Sequence, residues 1–271
     1  MREQQEPRPL KIVRIATVAF LLLFYALPGS AQLVLTGEWL EIERGGRTLR
    51  AWVARPEGVE SAPSIIVIHA NRGLDDWTRS VADRLAAEGY IAAAPDLLSG
   101  MAPDGGGTAA FADRNAARDG IYALQEEQVL GDLNALGDFL LAMDDSDGQL
   151  SVSGFCWGGS RTFWFATERA GLTAAYVFYG TAPEDAAAMG RVDAEVYGFY
   201  GGEDNRVNST IDRTAAAMTA AGKTYAPVIY DGAGHGFLAR GEQAEEGDPN
   251  QVAATLAWER WRDLLARYGT R

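Results

Sequence analysis

Hydrophobic positions along the chain alternate between two periods. Leu49, Ala51 and Val53 recur at every second residue, which predicts a strand over 48–54, and Glu38 to Glu43 predicts its hairpin partner across Gly45-Gly46. Both read as edge strands. Ser64 to Ile68 is instead an unbroken apolar, largely β-branched run, as expected of a strand buried on both faces of a mostly parallel sheet. Asp75 or Asp76 can cap the helix that follows, with Val81, Leu85 and Ala86 on its apolar face and Gly89 beyond its end. The same reading gives strands over 90–95, 151–153, 174–178, 195–200 and 225–230. Helices are predicted over 109–125, with Arg114 and Arg118 on one face, and then through Val129, Leu133, Leu136, Leu140 and Leu141. Further helical stretches cover 162–166, 208–221 and 250–267, the last with Leu256, Trp261, Leu264 and Leu265 as core positions. Residues 144–148 read as a turn, 99–107 as a surface loop beside the site, and 181–191 as a loop or short helix. Strand and helix alternating in this way call for an α/β fold: a mostly parallel central sheet with helices on both faces.

The N-terminus follows a different pattern. Arg2, Arg8, Lys11 and Arg14 precede an uncharged apolar stretch, Ile15 to Leu27, and small residues stand before Gln32. This is the form of a signal peptide over 1–31, too short in its apolar part for the ~20 residues of a membrane span. Residues 32–271 then form a single domain, exported to the periplasm or secreted, with an uncleaved N-terminal anchor as the alternative. The formal charge of −13 repels nucleic acid and anionic lipid, so neither nucleic acid nor, after cleavage, a membrane is an expected partner. One cysteine permits no intramolecular disulfide and offers no resolving thiol for a redox sensor. With one cysteine and two histidines, no metal site and no cofactor are expected.

That cysteine stands in a telling place. Ser151 to Phe155 leads into Gly154-Phe155-Cys156-Trp157-Gly158, and an apolar helical segment leaves it. This is the pattern of a nucleophile elbow, a strained strand-to-helix turn that lifts one reactive side chain above a sheet. Asp204 and His235 follow in the order nucleophile, acid, histidine, each after a predicted strand. His69 precedes the nucleophile and breaks that order, so a packed or hydrogen-bonded role suits it better. Taken singly, Cys156 could be a buried turn cysteine and Asp204 a turn aspartate after Gly201-Gly202. Taken together they suit acyl transfer: His235 takes the thiol proton or pairs with the thiolate, and Asp204 fixes the tautomer of His235. An oxyanion would meet the N–H of Trp157 and that of Asn71 in the loop after the third strand.

His69-Ala70-Asn71-Arg72-Gly73-Leu74, Ala94-Pro95-Asp96, Gly154 to Gly159, the Asp204 loop and Gly234-His235-Gly236-Phe237 together resemble the dienelactone hydrolase family. The resemblance covers nearly all of residues 32–271. It implies an α/β-hydrolase fold and a Cys-His-Asp hydrolase that opens 4-carboxymethylenebut-2-en-4-olide to maleylacetate in halogenated-aromatic breakdown. It also implies arginines on the substrate carboxylate, a role that Arg114 matches and Arg240, displaced by one residue, resembles. Two positions depart from the pattern. Ala70 stands where the family has a glutamate that helps deprotonate the resting thiol, and Gly236 stands where a serine often helps to hold the substrate. Two other functions remain open at this level: a broad carboxylesterase or thioesterase, and an exported small-molecule-binding protein of the same fold with weakened catalysis.

Overall fold

The computed structural model describes residues 35–269, so the leader expected over 1–31 lies outside the described residues. The strands are β1 (Glu38–Arg44), β2 (Arg47–Ala54), β3 (Ala62–Ile68), β4 (Ile91–Asp96), β5 (Ser146–Phe155), β6 (Ala174–Phe178), β7 (Glu195–Gly201) and β8 (Tyr225–Tyr230). They form one sheet in the order β1-β2-β4-β3-β5-β6-β7-β8. The pairs β1–β2 and β2–β4 are antiparallel, and all others are parallel. Every residue of β3, β4 and β6 is buried, which is why these strands read as apolar runs rather than as alternations. The parallel strands deliver their C-terminal ends to one edge, the place where open α/β sheets bind ligands.

The helices are α1 (Asp76–Ala87), α2 (Arg114–Ala123), α3 (Glu126–Leu141), α4 (Trp157–Glu168), α5 (Asn205–Asn208), α6 (Ile211–Ala220), α7 (Phe237–Gly241) and α8 (Pro249–Leu265). One face of the sheet is covered by α3, α4 and α6 through Val129, Leu133, Leu136, Leu140, Phe163 and Met218. The other face is covered by α1 and α8 through Val81, Leu85, Trp261, Leu264 and Leu265. Trp261 is fully buried against Phe178, with ring centroids 4.7 Å apart, and Phe178 stacks on Phe199 at 4.2 Å. This aromatic cluster supports the ends of β5, β6 and β7, the strands that carry the site. Among the described residues, no helix is long and apolar enough to cross a membrane.

Several expected elements come out differently. Of the two predicted edge strands only β1 lies at an edge, because β2 pairs on both sides and buries Trp52 and Ala54 as well as its alternating residues. The single helix expected over 109–125 is a short 3-10 turn at Thr108–Ala110 followed by α2, restarted when Asp113 caps the N–H groups of Asn115 and Ala116. The helix expected over 208–221 is α6, which begins at Ile211, and the short helix α5 precedes it directly after Asp204. The turn at 144–148 is partly absorbed into β5, where the register against β3 shifts and Gly148 takes φ +83°. Leu256 is 49% exposed rather than buried: α8 faces the sheet with Ala253, Ala257, Trp261 and Leu264, and Leu256 falls off that stripe. Leu141, at the end of α3, is only half-buried.

Trp261→Ala is expected to cost about 3–5 kcal/mol in urea unfolding, whereas Leu256→Ala on the same helix should stay within about 0.5 kcal/mol of the parent. Comparable losses at both positions would contradict this assignment of the buried face of α8.

Candidate active site

The C-terminal end of β5 turns into α4 through one residue. Cys156 has φ +57° and ψ −114°, a region that an L-residue enters only where its surroundings enforce it. The surroundings are backbone packed against backbone. A Cβ on Gly154 would lie 2.4 Å from the carbonyl oxygen of Gly158, one on Gly158 would lie 2.3 Å from that of His69, and one on Gly159 would lie 2.4 Å from that of Phe178. Cys156 N–H donates to Phe178 at 3.0 Å, and Ser160 N–H donates back to the Cys156 carbonyl at 3.1 Å, starting the helix. The thiol is thereby held at the N-terminal end of α4, where backbone N–H groups favour negative charge.

Two further loops meet it from the ends of β7 and β8. They are joined backbone to backbone, Gly202 N–H to Tyr230 at 2.7 Å and Glu203 N–H to Ala233 at 2.9 Å. Gly201 sits so close to Ala233 that a Cβ would lie 2.6 Å from its carbonyl oxygen. Asn250 accepts from Gly234 N–H at 2.9 Å and ties the histidine loop to α8. As a result Asp204, 7% exposed, sets its carboxylate 2.5 Å from His235 Nδ1, which leaves Nε2 as the ring nitrogen available to Cys156. Tyr179 presses edge-on against the imidazole, with centroids 5.2 Å apart, and itself has φ +43°.

A cavity of about 750 Å³ opens over Cys156 and His235. Ala70, Asn71, Arg114, Trp157 and Arg240 also line it, so the structure gathers these expected site residues in one place. Asp204 stands behind His235, outside the cavity wall. The predicted loop at 99–107 does not line the cavity. Its continuation buttresses the wall instead, as Thr108 accepts from Leu74 N–H at 3.0 Å and donates to Asp96 at 2.6 Å.

Charge in the cavity opposes that of the whole chain. Arg72, Arg114, Arg206 and Arg240 line it, and among the described residues none of the four is within salt-bridge distance of a carboxylate. Arg118, by contrast, is turned to Asp119. Burial pushes the Cys156 thiol up, but hydrogen bonding to His235 and the charge of that imidazole, the Trp157 N–H and the Arg206 charge outweigh it, and the net shift is downward. His235 moves up: its hydrogen bond to Cys156 and its pairing with Asp204 overcome the opposing effect of burial. Both shifts favour a thiolate–imidazolium pair. Among the described residues, no group of three His, Cys, Asp or Glu side chains stands together as a metal site would require.

The family model for the dienelactone hydrolase family matches residues 49–269, from β2 to the end of the described chain. The chain belongs to the dienelactone hydrolase family. It is 30% identical over 247 residues to a Methylorubrum extorquens protein named "Putative carboxymethylenebutenolidase", covering 87% of this chain and 82% of that one. An Escherichia coli protein of the same name is 29% identical, over 83% of this chain and 84% of that one. Among solved structures, a dienelactone hydrolase-type protein from Klebsiella pneumoniae superposes with a TM-score of 0.74 at 27% identity, covering 86% of this chain and 99% of that one. The α/β-hydrolase fold and membership of a hydrolase family therefore stand together.

Sequence reasoning did not single out Trp77, Tyr122, Ser160, Tyr179 or Arg206 as cavity residues. Two of them carried a positional signal: Tyr179 directly follows β6 and Arg206 follows Asp204 by two, both at the sheet edge where ligands bind. Tyr122 is brought in by tertiary contact, its hydroxyl accepting from Asn71 Nδ2 at 3.1 Å.

Alkylation of Cys156 by iodoacetamide should reach half its limiting rate at a pH below that of an ordinary cysteine. His235→Ala should raise that midpoint, since burial then acts with less opposition, and Arg206→Gln should raise it less. A midpoint at or above the ordinary thiol value in the parent protein would contradict the assigned electrostatics.

Proposed function

We propose that this member of the family is a hydrolase that opens a lactone of the dienelactone type, or cleaves a small ester, through a thioester on Cys156. The observation that carries the reading is the convergence of a strained cysteine, an imidazole and a buried carboxylate on one arginine-lined cavity. Cys156 attacks the carbonyl carbon as the thiolate, its proton held by His235 Nε2. Asp204 accepts from Nδ1–H, fixing the tautomer and stabilising the imidazolium. The oxyanion that forms is met by the N–H groups of Trp157 and Asn71, both at the cavity wall. Collapse breaks the carbon–oxygen bond, and the departing enolate or alkoxide takes the proton from His235. Water then attacks the thioester, giving its proton to His235, and the carbon–sulfur bond breaks to restore the thiolate. Arg114 and Arg240 hold an anionic group of the substrate. The cationic wall inside a chain of formal charge −13 supports an anionic substrate, since it draws in a carboxylate that the outer surface repels.

Ala70 bears on the rate. The wall of the cavity beside Cys156 carries a methyl group where the family resemblance places a carboxylate, which leaves proton removal from the thiol to His235 alone. The same residue favours one second reading, a small-molecule-binding protein with lapsed catalysis. That protein would bind lactone without forming product, and Cys156→Ala would leave its affinity unchanged.

Turnover of dienelactone and of p-nitrophenyl acetate separates these readings. Cys156→Ala is expected to lower kcat by at least about 10³-fold on the preferred substrate, and Ala70→Glu to raise the acylation burst. Binding without turnover in the parent protein would favour the second reading, and an unchanged or slower burst in the glutamate variant would contradict the role given to position 70.

A further inference from the structure

His69 is fully buried, lies outside the Cys156–His235–Asp204 set, and touches both walls of the oxyanion position. Its Nδ1 lies 2.8 Å from the carbonyl oxygen of Ala70, and its Nε2 faces Leu97 N–H at 3.4 Å. A backbone N–H can only donate, so Nε2 is the acceptor and the ring proton sits on Nδ1, donating to Ala70. Burial, the largest influence on the ring, lowers its basicity and keeps it neutral. Gly73 N–H donates to the same carbonyl at 3.3 Å. In a trans peptide the C=O and the following N–H point in opposite directions. Holding the Ala70 carbonyl toward the buried imidazole therefore turns the Asn71 N–H away from the interior, on the cavity side where Ala70 and Asn71 form the wall. Among the described residues, that N–H donates to no protein acceptor. The ring also stacks on Trp157, with centroids 5.8 Å apart and planes 11° from parallel. The backbone carbonyl of His69 lies where Gly158 has no room for a Cβ.

We propose that His69 is a positioning residue that aims the Asn71 N–H at the developing oxyanion, through the Nδ1–H bond to the Ala70 carbonyl, and seats the Trp157 turn beside it. The proposal rests on the acyl-transfer reading of Cys156. It adds a function for a histidine that the order of the catalytic set leaves unused.

Two substitutions separate aiming from filling. Asn at 69 presents a donor at the Nδ1 position and loses the contact to Leu97. Gln presents an acceptor at the Nε2 position and loses the donor to Ala70. With p-nitrophenyl acetate, His69→Gln should lower kcat by about 10²-fold with KM little changed, whereas His69→Asn should stay within about fivefold of the parent. Iodoacetamide alkylation of Cys156 displaces iodide at a saturated carbon and forms no oxyanion, so its rate should be alike in the parent and both variants. Equal turnover in the two variants, or a faster Gln variant, overturns the proposal. So does alkylation that falls in step with turnover, which would make the ring a support for the fold alone. Parent turnover that disappears in Cys156→Ala tests the underlying reading separately, and a parent without such turnover removes both.

Discussion

Strand β5 and helix α4 approach each other, and the neighbouring chain ends, until carbonyl oxygens lie where side chains would otherwise begin. Gly154, Gly158 and Gly159 each lack space for a Cβ, and the nearest obstacles are backbone atoms of Gly158, of His69 and Ile68, and of Phe178 respectively. That crowding forces the turn between strand and helix into a single residue, and Cys156 accepts φ +57° as the consequence. Strain of this kind costs on the order of 1–3 kcal/mol and persists only where surrounding structure over-determines it. Here the aromatic cluster of Phe155, Phe178, Phe199 and Trp261 beneath the strand ends supplies the support. The return is positional: the sulfur stands clear of the sheet, at a helix N-terminus, with no side-chain freedom needed to reach a substrate.

Electrostatics build on that placement. The acid and histidine loops are fastened to each other by main-chain bonds before either meets the cysteine, so the Asp204–His235 pair behaves as one body. Burial alone would keep the thiol protonated. The imidazole, the Trp157 N–H and Arg206 reverse that, and the sulfur in turn raises the basicity of His235. The cavity arginines act at longer range, countering the field of a strongly acidic chain. With Ala70 in the wall, this pairing has no further carboxylate to assist it at that position.

Much of this was legible in the sequence because the relevant constraints are local. Strands buried on both faces announce themselves as apolar runs, as β3 and β6 do, and a glycine at each side of a nucleophile records a backbone approach. Local caps and tertiary contacts were less legible. The restart of α2 at Asp113 and the short α5 capped by Asp204 rest on turns that a helical periodicity passes over. Leu256 is apolar, yet the rotation of α8 is set by where Trp261 finds its pocket. Tyr122 and Arg206 reach the cavity only because α2 and α5, which bear them, pack beside it. The inward hold of His69 on the Ala70 carbonyl is a relation between a side chain and a peptide plane, which no spacing of residues encodes.

The most direct measurement is mass spectrometry of the protein quenched in acid during turnover of p-nitrophenyl acetate. The account predicts an acetyl increment confined to the peptide containing Cys156, removed by neutral hydroxylamine and absent from Cys156→Ala. Turnover that leaves Cys156 unmodified and continues undiminished in Cys156→Ala would contradict it.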